Sequence, residues 1–131
     1  MCLASVMNQR RGPTIALAIL AVFALLSGCS RPISDTLKLR ALKTEAQSLK
    51  AGHPIKSPKV WAEVPKSQWP PVIAGLEPYS VTVHQWGVDI LVKPDFDGGW
   101  GYHVPRNKRD MPMPAGCYSE PSEGVFWHGS C

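Results

Sequence analysis

The sequence predicts an α+β fold, in which an N-terminal helix and a proline-rich tether precede a small antiparallel β-sheet of three or four strands. Apolar residues recur at helical spacing over residues 34–50. Six prolines then fall between Pro54 and Pro78, and β-branched and aromatic residues alternate in short runs after Tyr79. With 131 residues, the chain has room for one small domain and accessory segments, and little for a second core.

Residues 1–28 have the features of an export signal. Arg10 and Arg11 precede an uninterrupted apolar run from Ile15 to Leu26, and a charged segment followed by a short apolar one is typical of a signal peptide. As a helix this run would extend about 18 Å, well short of the roughly 30 Å hydrocarbon core of a bilayer. We therefore expect a leader that is removed, and not a membrane span.

The apolar run ends in Leu26-Ser27-Gly28-Cys29, which resembles the lipobox of bacterial lipoproteins. The resemblance covers residues 1–29 and implies that the Cys29 thiol carries diacylglycerol, so that residues 29–33 form a lipidated N-terminus. Two or more acyl chains give stable membrane anchoring, whereas a single chain binds reversibly. Ser30 stands where an aspartate would retain such a protein in the inner membrane, which implies an outer-membrane location facing the periplasm.

Two cysteines are left once the leader and the lipid site are set aside. The chain has four cysteines; Cys2 lies in the leader and Cys29 is the lipidation site, so Cys117 and Cys131 remain. In an oxidising periplasm this pair predicts a disulfide, with two free thiols as the alternative. The ring closes about 15 residues, which in the chain-entropy model contributes roughly 3 kcal/mol.

Residues 34–52 are predicted to form an amphipathic helix. Ser34 or Asp35 can cap its N-terminus, and Gly52 followed by Pro54 can end it. The apolar positions are Leu39, Leu42, Ala46 and Leu49. The basic positions on the opposite face are Lys38, Arg40, Lys43 and Lys50. So narrow an apolar stripe favours packing on the domain or on a partner helix; a short coiled coil or a membrane-surface helix are the alternatives.

Residues 53–78 are predicted to be an extended, proline-rich tether. Proline fixes φ and removes a backbone donor, so little regular structure is expected. Fully extended at about 3.1 Å per residue, the segment would hold the rest of the chain several tens of ångströms from the membrane. Seven basic residues against two acidic ones between Lys38 and Lys66 fit a stalk along lipid phosphates or the cell wall, or a solvated linker.

Residues 79–131 are predicted to form a small disulfide-stapled β-rich domain. Tyr79–His84 and Val88–Lys93 are expected to pair as a hairpin whose three-residue loop ends at Gly87, which can take a positive φ; one continuous bulged strand is the alternative.

The rest of this domain is expected to add two strands, 100–104 and 125–128, separated by a loop over residues 106–124. A domain this small is marginal on apolar burial alone, so aromatic residues should fill its core. The candidates are Trp86, Trp100, Tyr102, Phe126 and Trp127.

Three histidines on predicted strands, His84, His103 and His128, are candidate ligands of a metal such as zinc. They lack a close pair or a helical HxxxH spacing, which favours ordinary histidines and no metal. Asp95–Gly99 resembles the start of a calcium loop but lacks the closing glutamate, so a plain acidic turn is favoured.

Three aspartates, Asp89, Asp95 and Asp97, are candidate paired carboxylates for glycoside hydrolysis, although a domain this small seldom encloses a substrate cleft. The tryptophans can stack on sugar rings or simply fill the core. Candidate ligand contacts are Trp86, Trp100, Tyr102, Arg106, Lys108 and Arg109.

The sequence therefore predicts a membrane-anchored periplasmic lipoprotein that acts as a non-catalytic binding module, without a cofactor. Its expected partners are the membrane and an envelope protein or cell-wall ligand, and an immunity-type or other envelope role fits by analogy alone. A formal charge of +4 is too small to favour a dedicated nucleic-acid binder. The alternative is a small metal-dependent or carboxylate hydrolase.

Overall fold

The structure, a computed structural model, describes residues 30–131. The predicted leader, the lipobox and Cys29 lie outside the described residues. Within the described part of the chain, no helix has the length and apolar character needed to cross a membrane.

One long helix, one short helix and six strands, with two short 3₁₀ turns, make up the regular structure of residues 30–131. The helices and strands, in chain order, are α1 (Thr36–Gly52), β1 (Trp61–Glu63), α2 (Pro71–Gly75), β2 (Ser80–His84), β3 (Gly87–Lys93), β4 (Trp100–Pro105), β5 (Tyr118–Ser122) and β6 (Val125–His128). The strands form one antiparallel sheet in the order β1-β2-β3-β4-β6-β5. The α+β class is confirmed, whereas the expectation of three or four strands is wrong.

The two strands that the sequence did not reveal, β1 and β5, are the edges of the sheet. β1 has only three residues, and β5 contains Pro121 inside the segment 106–124 that was expected to be a loop. Proline has no backbone N–H to donate to a ladder, but an edge strand pairs on one side only and tolerates proline where its nitrogen faces solvent. The short length of β1 and the proline of β5 weakened the strand pattern in the sequence, although an edge strand tolerates both features.

Helix α1 forms as predicted, and its apolar stripe packs on the domain's own sheet. The carboxylate of Asp35 caps it, accepting hydrogen bonds from the backbone N–H groups of Leu37 (2.9 Å) and Lys38 (3.2 Å). At the other end the backbone N–H of His53 donates to the Leu49 carbonyl. The four predicted apolar positions are all buried: Leu39, Leu42, Ala46 and Leu49.

Alternate residues of the strands face α1 and complete the core. Cross-strand partners share a face of a sheet, and the register Val81–Ile90–Tyr102–Trp127 runs across four strands. We call this side the helix face; its buried members are Val81, Val83, Val88, Ile90, Tyr102, Val104, Val125 and Trp127.

Of the aromatic residues expected in the core, Tyr102 and Trp127 are buried and Trp100 packs against the cluster. Phe126 and Trp86 are only partly buried. Phe126 lies on the opposite side of the sheet because it alternates with Trp127, and Trp86 occupies the β2–β3 turn.

The segment 53–78 belongs to the folded domain and is not the extended spacer that its prolines suggested. It supplies β1, α2 and two core side chains, Val64 and Ile73. The carboxylate of Glu45, on α1, accepts hydrogen bonds from the backbone N–H groups of Val72 (3.0 Å) and Ile73 (2.9 Å). Proline suits the first position of a helix, where its missing N–H is not needed, so these prolines mark boundaries between packed elements.

The β2–β3 hairpin is confirmed, but Gly87 has another role than the one expected. It is the first residue of β3, pairs with Pro105, and does not have a positive φ. A Cβ at this position would lie 2.5 Å from the Val104 carbonyl oxygen, so glycine is needed because β3 and β4 approach closely.

The predicted disulfide is present between Cys117 and Cys131, whose Cα atoms lie 5.8 Å apart. Cys117 directly precedes β5 and Cys131 follows β6, so the bond ties together the open ends of the β5–β6 hairpin.

Candidate functional site

The side of the sheet opposite α1 carries mainly titratable and aromatic side chains. Three cross-strand registers place them together: Thr82–Asp89–His103–Phe126 across β2, β3, β4 and β6, and the pairs Tyr118–His128 and Trp61–His84 at the two edges. We call this side the polar face, with members Trp61, Thr82, His84, Asp89, His103, Tyr118, Phe126 and His128.

Asp89 is the centre of the polar face. Its Oδ1 lies 2.6 Å from Nδ1 of His103, and its Oδ2 lies 3.2 Å from Nε2 of His84. The antiparallel register accounts for the first contact, since Asp89 and His103 are direct cross-strand partners. His84 reaches the other oxygen from the end of β2, the strand that pairs with β3 on its other side.

His103 is fully buried, and its second ring nitrogen, Nε2, lies 3.3 Å from the backbone carbonyl oxygen of Asp110. Both of its partners accept hydrogen bonds, because Asp89 presents a carboxylate and Asp110 a carbonyl. His103 therefore connects Asp89, on β3, with the loop that carries Asp110.

The ionisation of Asp89 is fixed by its surroundings. Burial acts to raise the pKa of this carboxyl, but hydrogen bonds from His103 and His84, with the positive charge of these rings, outweigh it, and the pKa lies well below its usual range. Asp89 is therefore a carboxylate at neutral pH, suited to accept hydrogen bonds and unsuited to donate a proton.

His84 and Trp86 form a stacked pair beside this carboxylate, with ring centroids 4.7 Å apart and planes 11° from parallel. Nδ1 of His84 and Nε1 of Trp86 are both buried and have no hydrogen-bond partner within the described residues. An unsatisfied buried polar group costs roughly 1–3 kcal/mol.

Tyr118, on the edge strand β5, joins the remaining rings of the polar face. Its ring meets those of Phe126 and His128 nearly edge-on, at centroid distances of 6.1 and 5.9 Å, and lies 6.2 Å from that of His103. The backbone N–H of Met113 donates to its hydroxyl at 3.3 Å. Burial raises the pKa of Tyr118, so the hydroxyl stays protonated.

A cavity of about 410 Å³ opens over these groups. Its walls include the 63% exposed ring of Trp61 at one edge and Tyr118 at the other, and Asp89 lies between them. A second cavity of about 370 Å³ adjoins Trp86 and Arg109, and Pro112 lines both. Cavities of this size suit a small molecule or a few residues of a partner chain.

The three histidines proposed as metal ligands divide into a pair and a separate residue. His84 and His103 meet at Asp89, whereas His128 packs against Tyr118 and directs Nδ1 to the Gly129 carbonyl at 3.3 Å. Among residues 30–131 no group of three or more histidine, cysteine or acidic side chains is arranged to hold a metal ion.

The three aspartates proposed as paired carboxylates have separate partners. Asp95 accepts hydrogen bonds from the Phe96 backbone N–H (2.8 Å) and the Ser130 hydroxyl (3.2 Å). Asp97 is exposed in the same β3–β4 turn. Neither aspartate shares the two histidine partners of Asp89.

The six proposed ligand contacts do not form one surface. Trp86 and Arg109 line the second cavity. Tyr102 is buried on the helix face, and the Ile33 backbone N–H donates to its hydroxyl at 2.7 Å. The remaining three have contacts of their own: Trp100 with Lys93, Arg106 with Asp110, and Lys108 with Glu120.

Sequence reasoning did not identify Trp61, Met113 or Tyr118 as members of this site. Trp61 and Tyr118 lie on the unpredicted edge strands β1 and β5, and Met113 lies in the loop before β5. Asp89 was named only as a possible catalytic carboxylate, although the predicted hairpin already paired its strand with that of His84.

In comparisons with known proteins, no family model, no curated protein and no solved structure matches the chain. The function of the polar face is therefore inferred from its geometry alone.

Proposed function

We propose that the protein is a lipid-anchored binding module of the bacterial cell envelope, and that the polar face is its ligand-binding surface. The observation that carries the binding role is the cavity of about 410 Å³ over Asp89. An ionised acceptor, an exposed tryptophan and a partly buried tyrosine line one concave surface there, which is the usual make-up of a recognition site.

The anchor is supported by the residues before the domain. The motif Leu26–Cys29 follows a charged and then an apolar segment, and acylation of Cys29 would fix the protein to the outer membrane on its periplasmic side. The Cys117–Cys131 disulfide suits the same compartment, because disulfides persist in the oxidising periplasm.

A non-catalytic role fits the ionisation of Asp89 better than the hydrolase alternative does. Hydrolysis by a carboxyl pair requires one carboxyl that holds a proton near neutral pH. The pKa of Asp89 is lowered, not raised, and Asp95 and Asp97 lie apart in an exposed turn. The expected ligand is an envelope protein or cell-wall component that presents hydrogen-bond donors to Asp89.

Palmitate labelling of the full-length protein tests the anchor. The wild-type protein should incorporate palmitate and fractionate with the outer membrane, and Cys29→Ser should lose both properties. Cys2→Ser is the matched control, since it removes a cysteine of the leader and should change neither. Unchanged labelling and fractionation of Cys29→Ser would refute the anchor.

Photocrosslinking in intact cells tests the binding surface. A photoreactive amino acid at Trp61 should trap a protein or glycan, and Asp89→Asn should reduce the yield. The same amino acid at Phe96, which is 99% exposed in the β3–β4 turn, is the control and should not trap this species. Identical products from the two positions, or lipid alone at position 61, would count against the proposal.

A further inference from the structure

We infer that the outer surface of α1 docks on the phospholipid leaflet that holds the acyl chains of Cys29, so that the polar face points into the periplasm. This inference rests on the lipid anchor proposed above. The docking surface consists of Leu37, Arg40 and Thr44, which are exposed and lie on one line along the outer side of the helix.

The chain between the lipid and the domain is short. Only Ser30, Arg31 and Pro32 separate Cys29 from Ile33, and four residues span at most about 14 Å. Ile33 is itself held to the domain, because its backbone N–H donates to the Tyr102 hydroxyl at 2.7 Å and its side chain packs against the core. The domain therefore cannot move far from the bilayer.

An exposed apolar side chain lies close to the anchored end of the chain. Leu37 lies in the first turn of α1, four residues after Ile33, and is 74% exposed. On a soluble surface such exposure has little effect, but beside a lipidated residue it supplies the apolar contact that interfacial helices use.

The net positive charge of α1 also favours an anionic leaflet. Helix α1 carries four basic residues and one acidic residue. The acidic one, Glu45, is turned to the backbone N–H groups of α2. This leaves Arg40 exposed on the docking surface, with Lys43 at its flank, where the Lys43 amine donates to the Glu123 carbonyl oxygen at 3.0 Å. Basic residues near an anionic leaflet are attracted to its headgroups.

The orientation follows from the layers of the fold. Helix α1 packs on the helix face of the sheet, and the polar face is the other side of the same sheet. A leaflet against the outer side of α1 therefore leaves the cavity over Asp89 directed away from the membrane, where an envelope partner can reach it.

Nitroxide labelling of the acylated, full-length protein in vesicles tests this orientation. With Cys29 acylated and no free cysteine among residues 30–131, a single introduced cysteine is the one label site of the mature chain. Labels at Leu37→Cys and Thr44→Cys report on the docking surface, and Trp61→Cys, on the polar face, is the control. Vesicles of phosphatidylcholine with about 30% phosphatidylglycerol provide the anionic surface.

Labels at positions 37 and 44 should be shielded from a water-soluble nickel chelate and accessible to oxygen, whereas the label at 61 should be accessible to the chelate. Arg40→Gln should lower the ratio of docked to undocked protein about fivefold, as should vesicles without the anionic lipid. Two label sites keep the test valid if one variant folds poorly.

Intact-mass measurement before reconstitution separates the possible failures. If the acyl groups are absent, the anchor and the docking both fail. If they are present and positions 37 and 44 are as accessible to the chelate as position 61, the anchor stands and the docking is wrong. Shielding at 61 alone would reverse the orientation and likewise overturn the inference.

Discussion

The two sides of the sheet are built from alternate residues of the same strands, yet they differ in what holds them together. On the helix face, aliphatic side chains and two aromatic rings pack against α1 with no charged group among them. On the polar face, one carboxylate binds two imidazoles, and the rings around it border a cavity. The alternation of a β-strand thus separates apolar packing from polar recognition within a small domain.

Removal of a leucine on the α1 side of the core should have the largest effect. Leu42 is fully buried between α1 and the sheet, so Leu42→Ala should lower the free energy of unfolding by about 3 kcal/mol through lost transfer energy and a cavity. Leu37→Ala, on the exposed side of the same helix, should change it by less than about 0.5 kcal/mol. Urea unfolding of the purified proteins measures both, and equal effects would contradict the assigned helix orientation.

Removal of the disulfide tests whether the two faces depend on each other. The β5–β6 hairpin carries Trp127 on the helix face and Tyr118 on the polar face. Cys117→Ser with Cys131→Ser should destabilise the domain by roughly 3 kcal/mol in the chain-entropy model. Near-ultraviolet circular dichroism and tryptophan fluorescence should then change in a single transition. Two separate transitions would show that the faces unfold independently.

Neutralisation of Asp89 should affect the polar face by a smaller but distinct amount. Asp89→Asn removes the carboxylate that faces fully buried His103, and loss of a hydrogen bond to a charged group costs about 2 kcal/mol. Asp95→Asn, in an exposed turn, is the matched control and should cost less than about 0.5 kcal/mol. If the two variants are equally stable, the histidine contacts of Asp89 contribute little to the fold.

The same carboxylate predicts how stability depends on acid. The pKa of Asp89 is lower in the folded chain than the value of about 3.9 expected when unfolded. Its contribution is therefore fully present above about pH 4 and is lost as the pH falls through the folded-state pKa. Unfolding measured between about pH 7 and pH 2 should show a shallower acid decline for Asp89→Asn than for the wild type, while Asp95→Asn keeps the wild-type slope.

The helix face was the more predictable of the two. Helical spacing alone predicts α1, because the period of the helix also buries the residues at that spacing, Leu39, Leu42, Ala46 and Leu49. The prediction for segment 53–78 was wrong because its contacts with the domain are distant in sequence. Its prolines dominate the local pattern, while the contact that binds it to the domain comes from Glu45, a residue that local spacing does not connect with it.

The polar face depended on pairing that the sequence does not fully display. The hairpin register that brings His84 near Asp89 was within reach of the sequence, since both strands were predicted. The contact with His103 required the pairing of β3 with β4, and the walls of the cavity required β1 and β5. Edge strands carry weak local signals because they form fewer ladder hydrogen bonds and tolerate proline, so the walls of the site could not be predicted.

Two tyrosines offer the finest comparison of the faces, because each has a hydroxyl that accepts one backbone N–H. On the helix face the Ile33 N–H donates to the Tyr102 hydroxyl at 2.7 Å, and on the polar face the Met113 N–H donates to the Tyr118 hydroxyl at 3.3 Å. Tyr102→Phe should cost about 1 kcal/mol, since it leaves a partly buried N–H without its partner, and Tyr118→Phe should cost less because its bond is longer and more accessible to water. Both differences are measurable by urea unfolding. The reverse order would mean that the Tyr118 contact with the loop before β5 stabilises the domain more than the Tyr102 contact with the start of the folded chain does.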